Sequence, residues 1–352
     1  MFSKTRLVGV ALLSAAALSL AACSGSSGGT ASSSAPAPST SESSSGGGGG
    51  AELTDVKIGL VAVNLNSPSI TRIKDAMVKS AEARGWTVEV FDGQGDQNAT
   101  NNAAQNFINR GFSAIVNDAS PNEQMSAVID AAHAKGIPFV SIYGGYIPSV
   151  DAEIGTNEFV NGSMVTAEMI NALGGKGRVV KFNWTVLQAL RDRDAAFKAV
   201  VGENKNIEVV KEVEVKVPGQ VDDVYNQLTN ILQSDKNIDA VWIGWDELAP
   251  PAVRAIEQAG LSDKTIVVGF DGNPFAWDLI RDNTAYRMEP ANPFEPMGEK
   301  SVSVIEQLLK KETLASKIIY MKPCWINRQT VPAKDAFPDW NTCAFFPGEI
   351  GS

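Results

Sequence analysis

Across Val56–Tyr320, short apolar runs alternate with amphipathic segments along the chain. The runs consist mostly of Val, Ile, Leu, Ala and Phe, which is typical of parallel strands covered on both faces. The segments between them repeat apolar residues at helical spacing. Pro68, for example, opens a segment that carries Ile70, Ile73 and Met77 on one face. The alternation predicts an α/β fold with parallel sheets and right-handed crossovers.

Ten strands are predicted, each bounded by turn or helix-start residues: Val56–Val63, Trp86–Phe91, Ala114–Val116, Pro138–Ile142, Arg178–Phe182, Ile207–Val213, Ala240–Ile243, Ile266–Phe270, Ala285–Met288 and Lys317–Tyr320. One helix is predicted to run unbroken over Pro121–Lys135, and Gly144–Gly155 is predicted to be a loop. About 300 ordered residues are more than one hydrophobic core usually supports. We therefore expect two similar Rossmann-like lobes with a cleft between them.

Residues 1–22 are predicted to be a secretory signal peptide. Lys4 and Arg6 give it a charged start, Leu7–Leu20 is apolar, and small residues lead to Cys23. The apolar run is shorter than the about 20 residues that a membrane-spanning helix needs. The Leu-Ala-Ala-Cys sequence ending at Cys23 resembles the lipobox of bacterial lipoproteins, in which the cysteine is lipidated and becomes the mature N-terminus. The alternative is an ordinary signal peptide with an incidental cysteine.

Residues 23–55 are predicted to be a flexible tether. As far as Gly50 they are almost wholly Ser, Gly, Ala, Thr and Pro. Such a segment buries too little apolar surface to offset its conformational entropy. We therefore expect a protein held at the membrane by a lipid on Cys23, with its folded body able to reach a partner there.

A carboxylate directly follows one of the predicted strands. The buried run Ile266–Phe270 stops at Asp271, and Gly272, Asn273 and Pro274 then supply turn and helix-start chemistry. The carboxyl ends of strands are where open α/β sheets bind their ligands, which makes Asp271 a candidate ligand residue. The alternative is that Asp271 only caps the next helix.

Five segments resemble a known family and occur in the order in which that family has them: Val56–Pro68, Arg110–Val116, Gly136–Val140, Arg191–Arg193 and Val267–Pro274. Together they resemble the type I periplasmic solute-binding proteins of the ribose and galactose class. The resemblance implies two lobes joined by three hinge strands. It also implies that the cleft captures a small sugar and that the protein delivers the sugar to an ABC importer.

The resemblance further implies where the chain crosses between the lobes. By position, the crossings fall near Thr156–Asn157, Asn292–Pro293 and Met321–Lys322. The N-terminal lobe would then comprise residues 56–156 and 293–321. The C-terminal lobe would comprise residues 157–292 and 322–352, including a tail that goes beyond the family core.

The family pattern also places a sugar site at the cleft. Asp271 matches its hydroxyl-accepting aspartate, Arg193 matches the second arginine of its Arg-x-Arg pair, and Asn292 matches its hinge amide by type. A sugar pocket needs such charged and amide groups for hydroxyls and aromatic rings for the C–H faces. The predicted ligand residues are Asn66, Ser67, Asp118, Tyr143, Trp184, Arg191, Arg193, Trp245, Asp271 and Asn292.

The chain departs from the family pattern at several strand ends. Ser69 and Ile70 replace a common Phe pair, and Tyr143 stands where an Asp-Arg pair is usual. Trp184 and Trp245 stand where small or amide residues are usual. Rings at three strand ends can stack on a ligand, although each can instead be hinge or core packing. A polyol, a sugar other than ribose, or a flatter molecule with a polar rim would fit.

Other chemistries have little support in the sequence. His133 is the only histidine and lies among alanines, so neither a metal site nor a cofactor is predicted. A glycoside hydrolase needs two cleft carboxylates, for which Asp118 and Asp271 could be proposed, although nothing in the sequence sets their distance. The formal charge is −10, and it becomes −12 once Lys4 and Arg6 leave with the signal peptide. Nucleic acid is therefore not an expected partner.

The tail from Pro323 to Ser352 contains Cys324 and Cys343. With Cys23 lipidated, these two are left in an extracytoplasmic protein, so a disulfide is predicted. It would stabilise the fold by about 3 kcal/mol in the chain-entropy model. The alternative is a pair of free buried thiols. We expect the tail to pack on the flank of a lobe near the hinge.

The sequence thus predicts a lipid-anchored, extracytoplasmic, monomeric receptor that captures a small sugar or polyol and presents it to an ABC permease. It is not predicted to be an enzyme. One alternative keeps the fold but binds a nucleoside or aromatic compound. Another is a sensory receptor, and a third is a surface glycoside hydrolase.

Overall fold

The structure is a computed structural model and describes residues 53–346 of the 352-residue chain. The predicted signal peptide, the predicted lipidation site Cys23 and most of the predicted tether lie outside the described residues. Within residues 53–346, no helix is long and apolar enough to cross a membrane.

The described residues form twelve strands and nine α-helices. The strands are β1 (Lys57–Ala62), β2 (Thr87–Asp92), β3 (Ala114–Asp118), β4 (Phe139–Ile142), β5 (Ala152–Gly155), β6 (Gly177–Asn183), β7 (Ile207–Glu214), β8 (Ala240–Ile243), β9 (Ile266–Val268), β10 (Tyr286–Ala291), β11 (Ile318–Tyr320) and β12 (Cys324–Asn327). The helices are α1 (Pro68–Glu82), α2 (Gln97–Asn109), α3 (Ser126–Ala134), α4 (Glu158–Ala172), α5 (Gln188–Glu203), α6 (Gln220–Ser234), α7 (Ala249–Gln258), α8 (Pro274–Arg281) and α9 (Phe294–Leu309).

The strands form two six-stranded sheets. The first has the order β11-β5-β4-β3-β1-β2, and all its neighbouring strands are parallel. The second has the order β12-β10-β9-β8-β6-β7 and is parallel except for the antiparallel pair β10–β12. The predicted fold class, two α/β sheets of mostly parallel strands, is confirmed.

Helices cover both faces of each sheet, which explains why the central strands are continuous apolar runs. On the first sheet, α1 and α9 pack on one face and α2 and α3 on the other. On the second sheet, α6, α7 and α8 pack on one face and α4 and α5 on the other. A glycine lets α9 approach α1 closely, because a Cβ on Gly298 would lie 2.3 Å from the carbonyl oxygen of Ile73.

The chain passes between the two sheets three times. It leaves the first sheet after β5, returns after β10 through α9, and leaves again between β11 and β12. Phe294, at the start of α9, is buried in the core of the first sheet. The three crossings bring the carboxyl ends of the strands of both sheets toward one region.

The prediction that Gly144–Gly155 is a loop is wrong for its last four residues, because Ala152–Gly155 forms β5 between β4 and β11. The acidic residue Glu153 interrupts the apolar pattern that would have predicted this strand. Glu153 is nonetheless buried, because its carboxylate accepts hydrogen bonds from Asn122 Nδ2 (3.1 Å) and the Gly145 amide (3.1 Å).

The single helix predicted over Pro121–Lys135 is also wrong. Asn122–Gln124 is a 3₁₀ turn, and α3 begins only at Ser126. The break follows from the buried side chain of Asn122, whose Nδ2 donates to Ser141 Oγ (2.8 Å) and to the Gly145 carbonyl (2.7 Å). Together with the bond to Glu153, these bonds hold the first turn to β4, β5 and the loop between them rather than on the axis of α3.

The tail adds one strand and a disulfide to the second sheet. β12 pairs with β10, and Cys324 bonds Cys343 with a Cα–Cα separation of 5.5 Å. Trp325 and the two cysteines pack against the cores around the second sheet. The predicted disulfide is present in the structure.

Candidate ligand-binding site

A cavity of about 130 Å³ lies between the carboxyl ends of the two sheets. Its wall includes residues that follow β1, β3 and β4 in the first sheet and β6, β8 and β9 in the second. One water needs about 10–15 Å³ of such space, so the cavity has room for roughly ten non-hydrogen atoms. That is the size range of a monosaccharide or a small polyol.

Arg193 is the central charge of the site and is almost fully buried on α5. Its Nη2 donates to Asp271 Oδ1 (2.7 Å), its Nε to Glu158 Oε2 (2.6 Å) and its Nη1 to the Gly244 carbonyl (2.7 Å). The guanidinium also lies over the ring of Phe270, 4.7 Å from its centroid. Two buried carboxylates thus neutralise and orient one buried cation.

Asp271 presents one carboxylate oxygen to the cavity. Both of its side-chain hydrogen bonds, from Arg193 and from Asn292 Nδ2 (3.1 Å), end on Oδ1. Among residues 53–346 no group donates to Oδ2, which is therefore available to a ligand hydroxyl. Asp271 does not cap α8 with its side chain.

The backbone of Asp271 is strained, with φ at +100°. Tyr143 (φ +57°) and Ala119 (φ +64°) are in the same left-handed region, and all three line the cavity. Such conformations cost about 1–3 kcal/mol each for non-glycine residues and tend to occur at functional sites. Strain at three strand ends around one cavity supports a binding role for this region.

Burial dominates the electrostatics of the site. It raises the pKa of Asp271, and Arg193 offsets this only in part. Burial lowers the pKa of Arg193, but Asp271 and Glu158 outweigh that effect and leave it above its ordinary value. Burial also raises the pKa of Asp246 well above its ordinary range, and the neighbouring Asp271 adds to the rise. The site therefore favours a charged Arg193 and lowers the acidity of Asp271 and Asp246.

The carboxylate of Glu247 on the cavity wall forms a hydrogen bond between the two lobes. Its Oε1 accepts from Ser67 Oγ (2.6 Å), and its Oε2 accepts from Gln220 Nε2 (3.0 Å). Ser67 precedes α1 beside the first sheet, whereas Glu247 follows β8 of the second. Burial raises the pKa of Glu247, and the bonds from Ser67 and Gln220 oppose that rise.

Arg72 on α1 makes a larger bridge across the cleft. Its guanidinium pairs with Glu295 of its own lobe (2.7 and 2.9 Å). Its Nη1 donates across the cleft to the Gly272 carbonyl (3.0 Å) and to Asn273 Oδ1 (3.1 Å). Ser69 Oγ also accepts from Asn273 Nδ2 (2.9 Å). These bonds connect the lobes directly, so the structure is a closed form.

The structure brings six of the ten predicted ligand residues to the cavity wall: Ser67, Tyr143, Trp184, Arg193, Trp245 and Asp271. Asn292 lies immediately behind them and donates to Asp271. Their contact with a ligand stays a prediction.

The other three predicted residues lie away from the wall. Arg191 is two residues from Arg193 on α5, so its side chain lies on another face and donates to the Val186 carbonyl (2.6 Å). Asn66 is exposed. Asp118 is fully buried, and neither carboxylate oxygen has a hydrogen-bond partner among the described residues.

Sequence reasoning missed several residues of the site. Asn64, Gln220 and Glu247 line the cavity, and Glu158 holds Arg193. Asn64 and Glu247 lie within two residues of predicted site residues, so their position could have indicated them. Gln220 and Glu158 begin helices that reach the site only through the tertiary fold.

The described residues give no support to a metal site or to a pair of cleft carboxyls formed by Asp118 and Asp271. In residues 53–346, no group of three His, Cys, Asp or Glu side chains is placed to hold a metal ion. The ring of His133 contacts Asp151 (2.9 Å), a residue that does not line the cavity. Asp118 does not line the cavity either, so Asp118 and Asp271 do not face a common substrate as the carboxyls of a glycosidase would.

Two α/β lobes that close on a small cavity between their strand ends define a solute-binding receptor. The family model of the periplasmic binding protein domain matches residues 58–313, and the chain belongs to this family. The resemblance to type I periplasmic solute-binding proteins is confirmed. The family is one of extracytoplasmic binding proteins of transporters, not of enzymes.

Individual proteins are similar over most of their length. The ribose import binding protein of Bacillus subtilis (strain 168) is 25% identical over 255 residues, which are 72% of this chain and 81% of that protein. A solute-binding protein structure from Agrobacterium vitis with bound allitol has a TM-score of 0.74 at 22% identity, covering 79% of this chain and 97% of that one. The 5-methylthioribose transporter solute-binding protein from Thermotoga lettingae has a TM-score of 0.74 at 24% identity, with coverages of 78% and 86%.

Proposed function

We propose that this protein captures a small sugar or polyol between its lobes and delivers it to an ABC importer. The observation that carries the proposal is the Arg193–Asp271 pair, which presents Asp271 Oδ2 to a cavity of monosaccharide size. A carboxylate oxygen oriented by a buried arginine is well suited to accept a hydroxyl hydrogen bond. Trp184 and Trp245 add aromatic faces for C–H groups.

The relatives support the same ligand class. The similar proteins are named for ribose import, for bound allitol and for 5-methylthioribose. Each ligand is a small molecule rich in hydroxyl groups. Delivery to an importer follows from the same names, and we propose an ABC permease as the partner of the closed form.

We propose that the lobes comprise residues 56–156 with 293–321 and residues 157–292 with 322–352. The three passages of the chain between the sheets support this division, as does the tail strand β12 in the second sheet. Ligand release would then require hinge opening that breaks the bonds of Ser67, Ser69 and Arg72 across the cleft.

We also propose that the protein works as a lipid-anchored monomer. Residues 1–22 would be removed, Cys23 would carry the lipid, and residues 23–55 would be the tether. Metabolic labelling with a radioactive fatty acid should label the wild type and not Cys23→Ser, and a wild type that takes up no label would contradict the anchor.

A second candidate keeps the receptor role and changes the ligand to a nucleoside or other aromatic compound. The two tryptophans on the cavity wall, Trp184 and Trp245, favour it.

A thermal-shift screen of sugars, polyols, nucleosides and aromatic acids separates the candidates. A ligand at a hundredfold excess over its Kd stabilises the protein by about 2.7 kcal/mol, which gives a clear rise in Tm. We expect at least one sugar or polyol to produce that rise. A rise with nucleosides or aromatic acids alone would favour the second candidate.

A further inference from the structure

The hydrogen-bonding groups of the cavity wall are largely used by the protein itself. Glu247 has both oxygens occupied, by Ser67 and Gln220. Gln220 Oε1 in turn accepts from the Gly219 amide (3.1 Å), and Ser69 Oγ accepts from Asn273. Hydrogen bonds between these side chains hold the cleft closed. Most of the donors and acceptors of these side chains are therefore not available to a ligand.

The hydrogen-bond donors and acceptors that stay available to a ligand belong mainly to three side chains. Asp271 Oδ2 has no donor among residues 53–346, and Asn64 uses its side-chain Oδ1 for the Asn66 amide (3.0 Å), which leaves its amide N–H groups. Arg193 uses three of its five N–H donors. Asp271 Oδ2 can accept two hydrogen bonds, and Asn64 and Arg193 can each donate two, so only the ligand hydroxyls that face these three side chains find a partner there.

Apart from the Tyr143 hydroxyl and the indole N–H groups of Trp184 and Trp245, the rest of the wall is apolar on both lobes. Trp184, Leu187 and Val217 line it from the second lobe, where they extend the core around β6 and β8. Ile70 and Ala119 line it from the first lobe, where they form a small cluster of their own. A ligand hydroxyl buried against these side chains would lose its bonds to water without replacement, which costs affinity.

We propose that the ligand is a sugar or polyol with an apolar substituent, such as a deoxy, alkyl or aryl group. The hydroxyls bind at Asp271, Arg193 and Asn64, and the apolar group packs against Trp184, Leu187 and Val217. The inference rests on the proposed function and narrows its ligand class. The cavity wall offers few polar groups to a ligand and is otherwise mostly apolar, and a ligand that is partly polar and partly apolar complements it.

Isothermal titration with matched ligand pairs tests this. The pairs are D-galactose and D-fucose, D-ribose and methyl β-D-ribofuranoside, and myo-inositol and an O-methyl inositol. In any pair that binds, the more apolar member should bind at least tenfold tighter. If the bare member binds as tightly or more tightly in every pair that binds, the inference is wrong and the receptor function stands. If no sugar or polyol binds at all, the proposed function fails and the inference with it.

Two variants test whether the preference for the more apolar ligand depends on the apolar residues of the cavity wall. Val217→Thr keeps the shape of the side chain and adds a hydroxyl, so the affinity ratio within the binding pair should fall at least fivefold. Val186→Thr makes the same change at an exposed residue of the neighbouring loop and should leave the ratio unchanged. An unaltered ratio in Val217→Thr would show that the apolar group does not pack there and would overturn the assignment.

Discussion

Arg193 and Asp271 form a buried ion pair in which Nη2 of the arginine lies 2.7 Å from Oδ1 of the aspartate. Asn292 donates to the same oxygen (3.1 Å), and Glu158 accepts from Nε of the same guanidinium (2.6 Å). Three elements, α4, α5 and the hinge after β10, thus fix one carboxylate. The arrangement leaves Oδ2 of Asp271 for a ligand and makes the pair both a structural and a binding feature.

Replacing Arg193 should destabilise the protein strongly. Arg193→Ala leaves Asp271 and Glu158 buried without their cation, and breaking such a buried pair costs about 3–5 kcal/mol of unfolding free energy. Arg178→Ala removes an arginine from surface ion pairs and should cost no more than about 1 kcal/mol. Urea unfolding of both variants gives the comparison. Equal losses in the two would contradict the structural role of the buried pair.

Arg72 should control how long a ligand stays bound. Arg72→Gln removes the bonds to Gly272 and Asn273 across the cleft, which stabilise only the closed form, so ligand dissociation should accelerate about tenfold. The control is Arg84→Gln, because Arg84 follows the same helix and, within residues 53–346, bonds only residues of its own lobe: Ser80, Ser303 and Glu306. Stopped-flow measurements of dissociation check this. If Arg84→Gln had the larger effect, the assignment of Arg72 as the bridge would fail.

Glu153 should make stability fall as pH rises through neutrality. Burial raises its pKa from 4.5 to about 7, against opposing hydrogen bonds that include one from Asn122. Because the folded state holds the proton more tightly than the unfolded chain, the stabilisation is complete below about pH 4.5 and is lost as the pH rises through about 7. The shift corresponds to about 3 kcal/mol of unfolding free energy.

Melting curves of Glu153→Gln from pH 5 to 8 isolate this effect. Glutamine cannot ionise, so the Tm of this variant should decrease less over that range than the Tm of the wild type. Glu208→Gln changes an exposed carboxylate in the same way and should follow the wild type. A Glu153→Gln profile parallel to that of the wild type would show that Glu153 does not titrate near neutral pH.

The disulfide should stabilise the fold without being needed for binding. Replacing Cys324 and Cys343 with alanine removes a crosslink between residues 19 apart in sequence, worth about 3 kcal/mol in the chain-entropy model. Neither cysteine lines the cavity, so ligand affinity should change less than threefold. Melting curves and titrations measure both quantities. An unchanged Tm would show that the disulfide does not stabilise the fold. A tenfold loss of affinity would show that it is needed for binding.

The sequence predicts most of the fold because burial dictates its pattern. Central strands such as Ala240–Ile243 are continuous apolar runs, and this strand has the bounds that the sequence predicts. The helix start predicted by Pro274 is also where α8 begins. β5 was missed because Glu153 interrupts its apolar pattern. The break before α3 depends on Asn122, whose partners come from β4 and β5, and local sequence does not reveal such long-range bonds.

The site was predictable where a residue follows a strand, because strand ends meet at one edge of a parallel sheet. Asp271, Trp184 and Tyr143 lie on the cavity wall for that reason. The partners that fix these side chains were less predictable. Glu158 reaches Arg193 from another helix, and Glu247 meets Ser67 only when the lobes close, so both contacts depend on tertiary geometry.

The most direct test of the receptor function is isothermal titration of the wild type and Asp271→Asn with the sugar or polyol that gives the largest thermal shift. Asparagine keeps the size of the side chain but loses the charge that accepts a ligand hydroxyl, so affinity should fall at least tenfold. Asp278→Asn, at an exposed position of α8, should bind like the wild type. Capture of a sugar or polyol at this cavity predicts saturable binding that Asp271→Asn weakens and Asp278→Asn does not. Saturable binding that Asp271→Asn leaves unchanged would place the ligand elsewhere and contradict it.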